Sequence, residues 1–561
     1  MHVHQSARKP MQTFRMLVTN MRRAASVSLP EAVPETSSWT ETLDAMVFRF
    51  ERALERRKWL VLGAFLGAYF LSTAYRAARK LFWFDEMFTV HLSRLPSVGG
   101  LWTELMRGSD FNPPLFYLLT KTGEALAGPG HLGMRLPEII GLGIFCLCLF
   151  RFVGLRSSML GGLVAMLFPL VTTAYEYAYE ARPHAVVLGF CGLSMVCWQQ
   201  AAAPGTRGRT WCITGLGAAL TAALLNHAYA VLLFVPLAIG ELVRALDRRR
   251  IDWAVAGALL TAAVAGLAVI GPMAAAAAKS GVAGASASHF MPLLDLPARV
   301  LASYKWHLEP AVVVLAGASL LFGWFDFRGP IRQGEGRLAV RGMPRHELAV
   351  LYGFVAVPVV AACVSLVTKS VLYDRYSLSV VAGFAGLLGL AAGKRPAATV
   401  ILLTVMLLQI VTDGVGYVRS TTWSSPLAGF KFNIHRPEYE KRYELLKRFS
   451  DERLPIVMLD GFEFASMAYY APRNLAERLT YLLNSSRDIN AVGYGKLTAC
   501  CGAPGNVENA KEFLARHDRF LVYTTPRTAG FLKSLLPANS SIELLDSSAD
   551  RFFAYVKRGS M

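Results

Sequence analysis

Two adjacent acids, Asp85 and Glu86, stand in the segment FWFDEMF, just after the first apolar run long enough to cross a bilayer. A third, Asp110, follows in SDFNPPLFY, ahead of Asn112 and the pair Pro113-Pro114. A carboxylate just past the end of a span is partly desolvated yet still reaches a hydrated groove, and charge there is costly enough to suggest a task. On position alone an equal case exists for ordinary interfacial acids neutralised by Arg76, Arg79 or Lys80. Other polar residues fall on the same side of the apolar runs. Arg135 opens the second run in GMRLPE, and Glu176, Glu180, Arg182 and His184 crowd YEYAYEARPH. Asn226, His227 and Tyr229 lie near the outer end of the fifth and sixth runs, and Lys369, Tyr373, Asp374, Arg375 and Tyr376 between the ninth and tenth. Arginines and carboxylates at one depth can bind an anionic head group while keeping a base nearby. Singly, each has a plainer reading: Arg135 and Arg182 as snorkelling cations, His227 as an interhelical hydrogen-bonder, Tyr373 and Tyr376 as belt aromatics.

The elements that must position these residues are membrane helices. Hydrophobic residues fill 54% of 561 positions and charged ones only 17%, and the mean hydropathy is +0.37, values that point to a polytopic membrane protein. The net charge of +19 raises nucleic acid as a partner, but the basic residues cluster between apolar runs, so positive-inside topology explains them and no nucleic-acid partner is expected. Of eight cysteines, Cys146, Cys148, Cys191, Cys197, Cys212 and Cys363 lie in or beside apolar runs, where a thiol is a small buried hydrophobe. Only Cys500 and Cys501 are in polar surroundings, and their spacing matches no metal site.

Residues 1–47 read as a basic cytoplasmic tail without stable structure, with Phe48 to Lys58 as a short amphipathic helix. Residues 48–415 form the transmembrane region, with a first outer loop at about 76–131, and residues 416–561 an extracytoplasmic domain. Eleven apolar runs are expected to span: Trp59 to Tyr75, Leu132 to Phe150, Met159 to Tyr175, Pro183 to Trp198, Trp211 to Leu225, Ala228 to Leu242, Trp253 to Met273, Pro310 to Phe325, Leu348 to Val367, Tyr376 to Ala392 and Ala397 to Val415. With the amino terminus inside, the clusters at Arg151 and Arg156, Arg207 and Arg209, Arg244 to Arg250, Arg328 to Arg345, and Lys394 with Arg395 are all cytoplasmic. Pro113 to Leu126 is read as a re-entrant or juxtamembrane helix, because it is short, holds Lys121 and Glu124, and would reverse every later cluster if it crossed. Beyond Gly416, strand-length runs such as LPIVMLD and RFLVYTT alternate with helical stretches, which predicts a small α/β domain. The fold class is therefore an α-helical polytopic membrane protein of about eleven transmembrane helices plus a re-entrant or juxtamembrane helix, with a C-terminal α/β soluble domain.

At these positions the sequence resembles the GT-C glycosyltransferases of the protein O-mannosyltransferase and aminoarabinose transferase type. FDE stands at the outer end of the first span, NPPLFYLL is similar to the family's PPLYY helix, GMRLPEIIGL to its RLPSAL segment and YEARPHAVVL to its QARMYAL segment. LLNHAYAVLL is similar to THYF and DRYSLSV to the late RYLLP segment, so the resemblance runs in order over about residues 59–395. Asn112 stands where the mannosyltransferase branch commonly has histidine, ARPH replaces ARMY, and no Gly-Lys follows the prolines.

The resemblance implies inverting transfer of a sugar from a polyprenyl-phosphate-linked donor to a glycan, lipid or protein acceptor at the outer face of the cytoplasmic membrane. The acceptor hydroxyl must lose a proton as its bond to C1 forms, which makes Asp85 the candidate base, with Glu86 and Asp110 assisting. The departing phosphate gains charge, for which Arg135, Arg182, Arg375, His227 and Lys369 are candidate ligands. Asn112, Glu180, His184 and Tyr373 are the candidate acceptor-groove residues. No strong metal-ligand spacing appears, and a divalent ion is left open. Two other classes fit the same polar residues without bond chemistry: a transporter or lipid flippase, and a structural envelope protein that docks through its C-terminal domain.

Overall fold

The computed structural model describes residues 37–279, 293–327, 343–368, 373–422, 446, 453–483, 503–548 and 551–559. Lys369, Cys500, Cys501 and most of the basic stretch before Arg345 lie outside them. The chain divides into two units at Phe50. Helix α1, Ser37–Arg56, starts well before the expected Phe48. The predicted tail therefore ends in helix, because TETLDAMVFRFERAL carries an apolar face at helical spacing.

The larger unit begins at Glu51, within α1, and continues into α2, Lys58–Arg79. After a short extended segment, α3 covers Phe84–Ser93 and α4 Val98–Met106. Helix α5, Pro114–Ala127, opens with Pro113 at its N-cap. Its 14 residues reach about 21 Å, too short for a bilayer's hydrocarbon. The charges that look misplaced in its sequence are used: Lys121 donates to the Leu95 carbonyl at 2.8 Å, and Glu124 pairs with Arg94 at 2.8 Å. Helix α6, His131–Gly154, returns beside it. A Cβ on Gly123 would collide with the Gly133 carbonyl oxygen, so the two backbones touch at residues that only glycine can fill.

Next come α7, Met159–Leu167, with two 3-10 turns at Phe168–Val171 and Thr173–Tyr179, then α8, His184–Ala202, and α9, Arg209–Asn226. A 3-10 turn at Ala228–Leu233 leads into α10, Phe234–Arg248, followed by α11, Trp253–Lys279. The remaining membrane-region helices are α12, Leu296–Leu308; α13, Val312–Phe327; α14, Arg345–Val355; α15, Val357–Thr368; α16, Val380–Ala392; and α17, Pro396–Thr422. Helices α6 and α8 are apolar all round and form the central pair. Their close approach at Gly141 and Gly189 would be blocked by a Cβ on either.

Each of the eleven expected apolar runs falls on helix among the described residues. Among the described residues seven helices are long and apolar enough to cross a membrane, and up to nine if the bent pairs Met159–Val171 with Thr173–Tyr179 and Arg345–Val355 with Val357–Thr368 each count as one span. The last long helix runs to Thr422, past the expected boundary at Gly416. Two of the basic clusters are tied in: Arg156, just past α6, binds Glu347, and Arg244 of α10 bridges Glu241 and Asp252.

The C-terminal part holds one six-stranded sheet, with β1 at Ile456–Met458, β2 at Leu479–Leu483, β3 at Asn506–Asn509, β4 at Arg519–Thr524, β5 at Ser541–Ser548 and β6 at Arg551–Lys557. The order is β3-β2-β1-β4-β6-β5, parallel through β4 and closed by an antiparallel hairpin. Side chains alternate between faces. Val457, Phe520, Val522 and Val556 pack beneath helices Ala510–Arg516 and Pro526–Leu535. Ile456, Met458, Leu521, Tyr523 and Phe553 face the other way, toward a helix we call α18, Gly461–Tyr470, and their cluster continues without a break into Phe82, Phe84, Met87 and Phe88. Through α18 the sheet thus packs against the start of α3, the helix that carries Asp85.

Candidate active site

Asp85 and Glu86 occupy the first turn of α3, and successive residues on a helix point about 100° apart. Glu86 therefore turns inward while Asp85 stays partly exposed. Glu86 and Arg135 form an ion pair at 2.7 Å with neither side chain exposed. The guanidinium spends all five N–H donors, two on the Glu86 carboxylate and three on the carbonyls of Ala77, Lys80 and Leu81. Burial pushes the Glu86 carboxyl upward, but the Arg135 charge outweighs it and holds the acid below its ordinary range. Arg135 thus has a framework role in place of the phosphate contact expected from sequence, since no donor is left for a ligand. Glu86 likewise accepts from the Ala181 amide at 2.6 Å, and Thr89 donates to the Ala181 carbonyl at 2.9 Å. These bonds clamp the Glu180–Arg182 segment onto α3.

Arg182 is brought beside both outer acids. Its Nη1 donates to the Asp85 carbonyl at 3.0 Å and to Asp110 Oδ2 at 3.1 Å. The Nε is buried without a partner among the described residues. Burial disfavours its charge, yet Asp110 and Asp85 keep it protonated above its usual value. Asp110 is fully engaged. Its Oδ2 also accepts from the Tyr117 hydroxyl at 2.6 Å and from Asn112 at 3.2 Å, while Oδ1 accepts from the Phe111 amide at 2.7 Å. Asp85 is less committed: Arg375 stands 3.2 Å from Oδ2, and the side chain keeps 19% exposure. Of the three acids, Asp85 alone combines a partly open carboxylate with a flanking cation.

Around this pair lies an aromatic wall drawn from four segments. The His184 ring sits 4.8 Å from Tyr177 and 5.1 Å from His227. Tyr376 stacks on Tyr229 at 3.8 Å and lies 5.4 Å from His227. Tyr373 lies under the Arg375 guanidinium at 4.8 Å. The Tyr229 amide donates to His227 Nδ1 at 3.2 Å, which puts the proton of the neutral ring on Nε2. Burial first, then the Arg182 and Arg375 charges, push the His227 pKa down to about 3. At neutral pH it offers an anion one N–H and no charge.

Glu180, expected in the groove, pairs instead with Lys80 at 2.5 Å. Arg76 is buried among the rings of Tyr175, Tyr179 and Tyr417. The cations that break the positive-inside pattern are thus absorbed by a carboxylate and by π faces. Sequence reasoning missed Tyr117 and Tyr177. The first sits in the FNPPLFY segment one helical turn past the Pro pair, a spacing that could have flagged it. Among the described residues no group of three or more His, Cys, Asp or Glu is placed to hold a metal ion.

Comparison with known proteins bears on this arrangement. Residues 112–275 match the family model described as dolichyl-phosphate-mannose-protein mannosyltransferase. A comparison with curated protein sequences found no match. Among solved structures, ArnT from Cupriavidus metallidurans in the apo state is similar with a TM-score of 0.53 at 14% identity, covering 89% of this chain and 98% of that one. The same protein bound to undecaprenyl phosphate gives 0.52 at 13% identity with the same coverage. The chain shares the fold of these ArnT structures, and its residues 112–275 match the sequence pattern of the mannosyltransferase family model.

Proposed function

We propose that the protein transfers a sugar, with inversion, from a polyprenyl-phosphate-linked donor to an acceptor hydroxyl at the outer face of the cytoplasmic membrane. The observation that carries this reading is the position of Asp85, a partly open carboxylate 3.2 Å from Arg375 and beside the backbone-anchored Arg182. Asp85 takes the acceptor's proton as the new bond to C1 forms. Arg375 and the unpaired Nε of Arg182 receive the phosphate as the old bond breaks, in surroundings where little water competes. Asp110, filled by four donors, orients Arg182 and needs no proton transfer of its own. The undecaprenyl phosphate in the similar ArnT structure supports a lipid phosphate as the donor's leaving group. Two guanidinium groups supply the positive charge there and disfavour a divalent cation at the same place.

In this reading the tail before α2 is cytoplasmic and the sheet extracytoplasmic. The sugar, hexose or pentose, and the acceptor are set by the wall around His184, His227 and Tyr376. The test is incubation of the full chain in nanodiscs with a panel of undecaprenyl-phosphate-linked hexoses and pentoses and a membrane extract as the source of acceptor hydroxyls. Release of undecaprenyl phosphate with at least one of them is expected. Passage of intact lipid-linked sugar across a bilayer, with no bond cleaved in any of them, would instead identify a flippase.

A further inference from the structure

Between α2 and α3 the chain runs extended through Lys80–Trp83, and two of its carbonyls, at Lys80 and Leu81, complete the shell around Arg135. The polar groups of the next residue, Phe82, are both met from the C-terminal sheet region. Its amide donates to the Tyr470 hydroxyl at 2.8 Å, across 388 residues of sequence. Its carbonyl accepts from Ser466 Oγ at 2.9 Å. The Tyr470 hydroxyl also lies 2.5 Å from His131 Nε2, at the start of α6. The Phe82 ring is set edge-on against His131 at 4.4 Å and Tyr469 at 5.9 Å, with the Arg135 guanidinium 4.8 Å from it. Phe82 is 1% exposed, so no solvent can replace either backbone partner.

Asp85 is three residues further on, in the first turn of the helix that this segment enters. The entry direction of the chain sets the rotation of that turn and hence which way the Asp85 carboxylate points. We propose that the C-terminal domain is a positioning element of the catalytic site, with Tyr470 and Ser466 fixing Phe82 and, through it, Asp85. The proposal rests on the reading of Asp85 as the base. It assigns the sheet a task beyond covering the membrane region: removing either hydroxyl leaves the phosphate ligands Arg182 and Arg375 in place but frees the base to drift. A displacement of about 1 Å at a reacting group can cost on the order of 100-fold in rate.

The experiment uses the full chain in nanodiscs and the variants Tyr470→Phe, Ser466→Ala and their combination, with Arg473→Ala on the exposed surface of the same region as control. Three quantities are read: turnover as undecaprenyl phosphate released, affinity for undecaprenyl phosphate itself, and deuterium exchange at the Phe82 amide. The double variant is expected to lose roughly 10- to 100-fold in kcat, exchange Phe82 faster, and keep its lipid-phosphate affinity and Tm close to those of the parent. Arg473→Ala is expected to match the parent. Faster exchange at Phe82 with unchanged kcat overturns the proposal. So does a loss of kcat matched by collapse of Tm and lipid binding, which marks a purely structural contact. Asp85→Asn separates the two readings. If it is inactive while the Tyr470/Ser466 variant turns over normally, the clamp alone falls. If Asp85→Asn turns over normally, the base assignment falls, whatever Tyr470 does.

Discussion

Replacing Arg135 with leucine removes five hydrogen bonds and leaves Glu86 as an unpaired carboxylate with no exposure. Breaking a buried pair by deleting one partner costs about 3–5 kcal/mol, a sizeable part of the roughly 5–15 kcal/mol that holds a typical protein folded. The damage starts at the site, because Glu86 also holds the Ala181 amide that sets the path of Arg182. Thermal unfolding of purified Arg135→Leu should occur lower by on the order of 5 °C. The double variant Glu86→Leu/Arg135→Met removes both charges, and it should regain part of the loss, since an apolar pair of similar volume replaces a buried ion pair at little cost. Full recovery is not expected, because the Ala77, Lys80 and Leu81 carbonyls stay without donors. An Arg135→Leu protein with the parent's Tm but weakened binding of undecaprenyl phosphate would refute this framework role and return Arg135 to the phosphate.

Other consequences are as direct. Arg182→Ala and Arg375→Ala should each weaken undecaprenyl phosphate binding by roughly 10- to 100-fold, the worth of one charge-assisted hydrogen bond; unchanged binding in both by microscale thermophoresis removes the phosphate assignment. His227 has a folded pKa of about 3 against roughly 6.5 unfolded. The unfolded chain therefore binds more protons between those values, and stability is full above about pH 6.5 and falls as pH drops through the window, by up to about 1.4 kcal/mol per unit. His227→Phe should flatten the Tm profile between pH 7 and 5, and an unaltered slope would contradict the neutral ring. Chelation with EDTA should leave turnover intact if Arg182 and Arg375 carry the phosphate charge; loss of activity restored by a divalent ion would show otherwise.

Much of the architecture was legible because apolar run length and basic clusters are local signals. The short helix after Pro113 was recognisable from Lys121 and Glu124, charges that a crossing helix could not leave in lipid. Asp85 was singled out over Glu86 in sequence, but nothing there placed Glu86 in a buried ion pair: adjacent letters take opposite fates only when the helix turns one inward to Arg135 and the other outward to Arg375. Arg135 read as an interfacial cation for the same reason, since its carbonyl ligands come from the far end of α2 and the extended segment beyond it. The contact of Tyr470 with Phe82 joins residues 388 apart, and no periodicity reports such a pairing.

The central claim is that Asp85 is the base, and the most direct measurement is turnover of Asp85→Asn in nanodiscs with an undecaprenyl-phosphate-linked sugar that the parent uses. The substitution keeps size and a hydrogen-bonding oxygen while removing basicity. A loss of roughly 100- to 10,000-fold in kcat with lipid-phosphate binding and Tm retained is predicted. Turnover at the parent's rate by the folded variant would contradict the account.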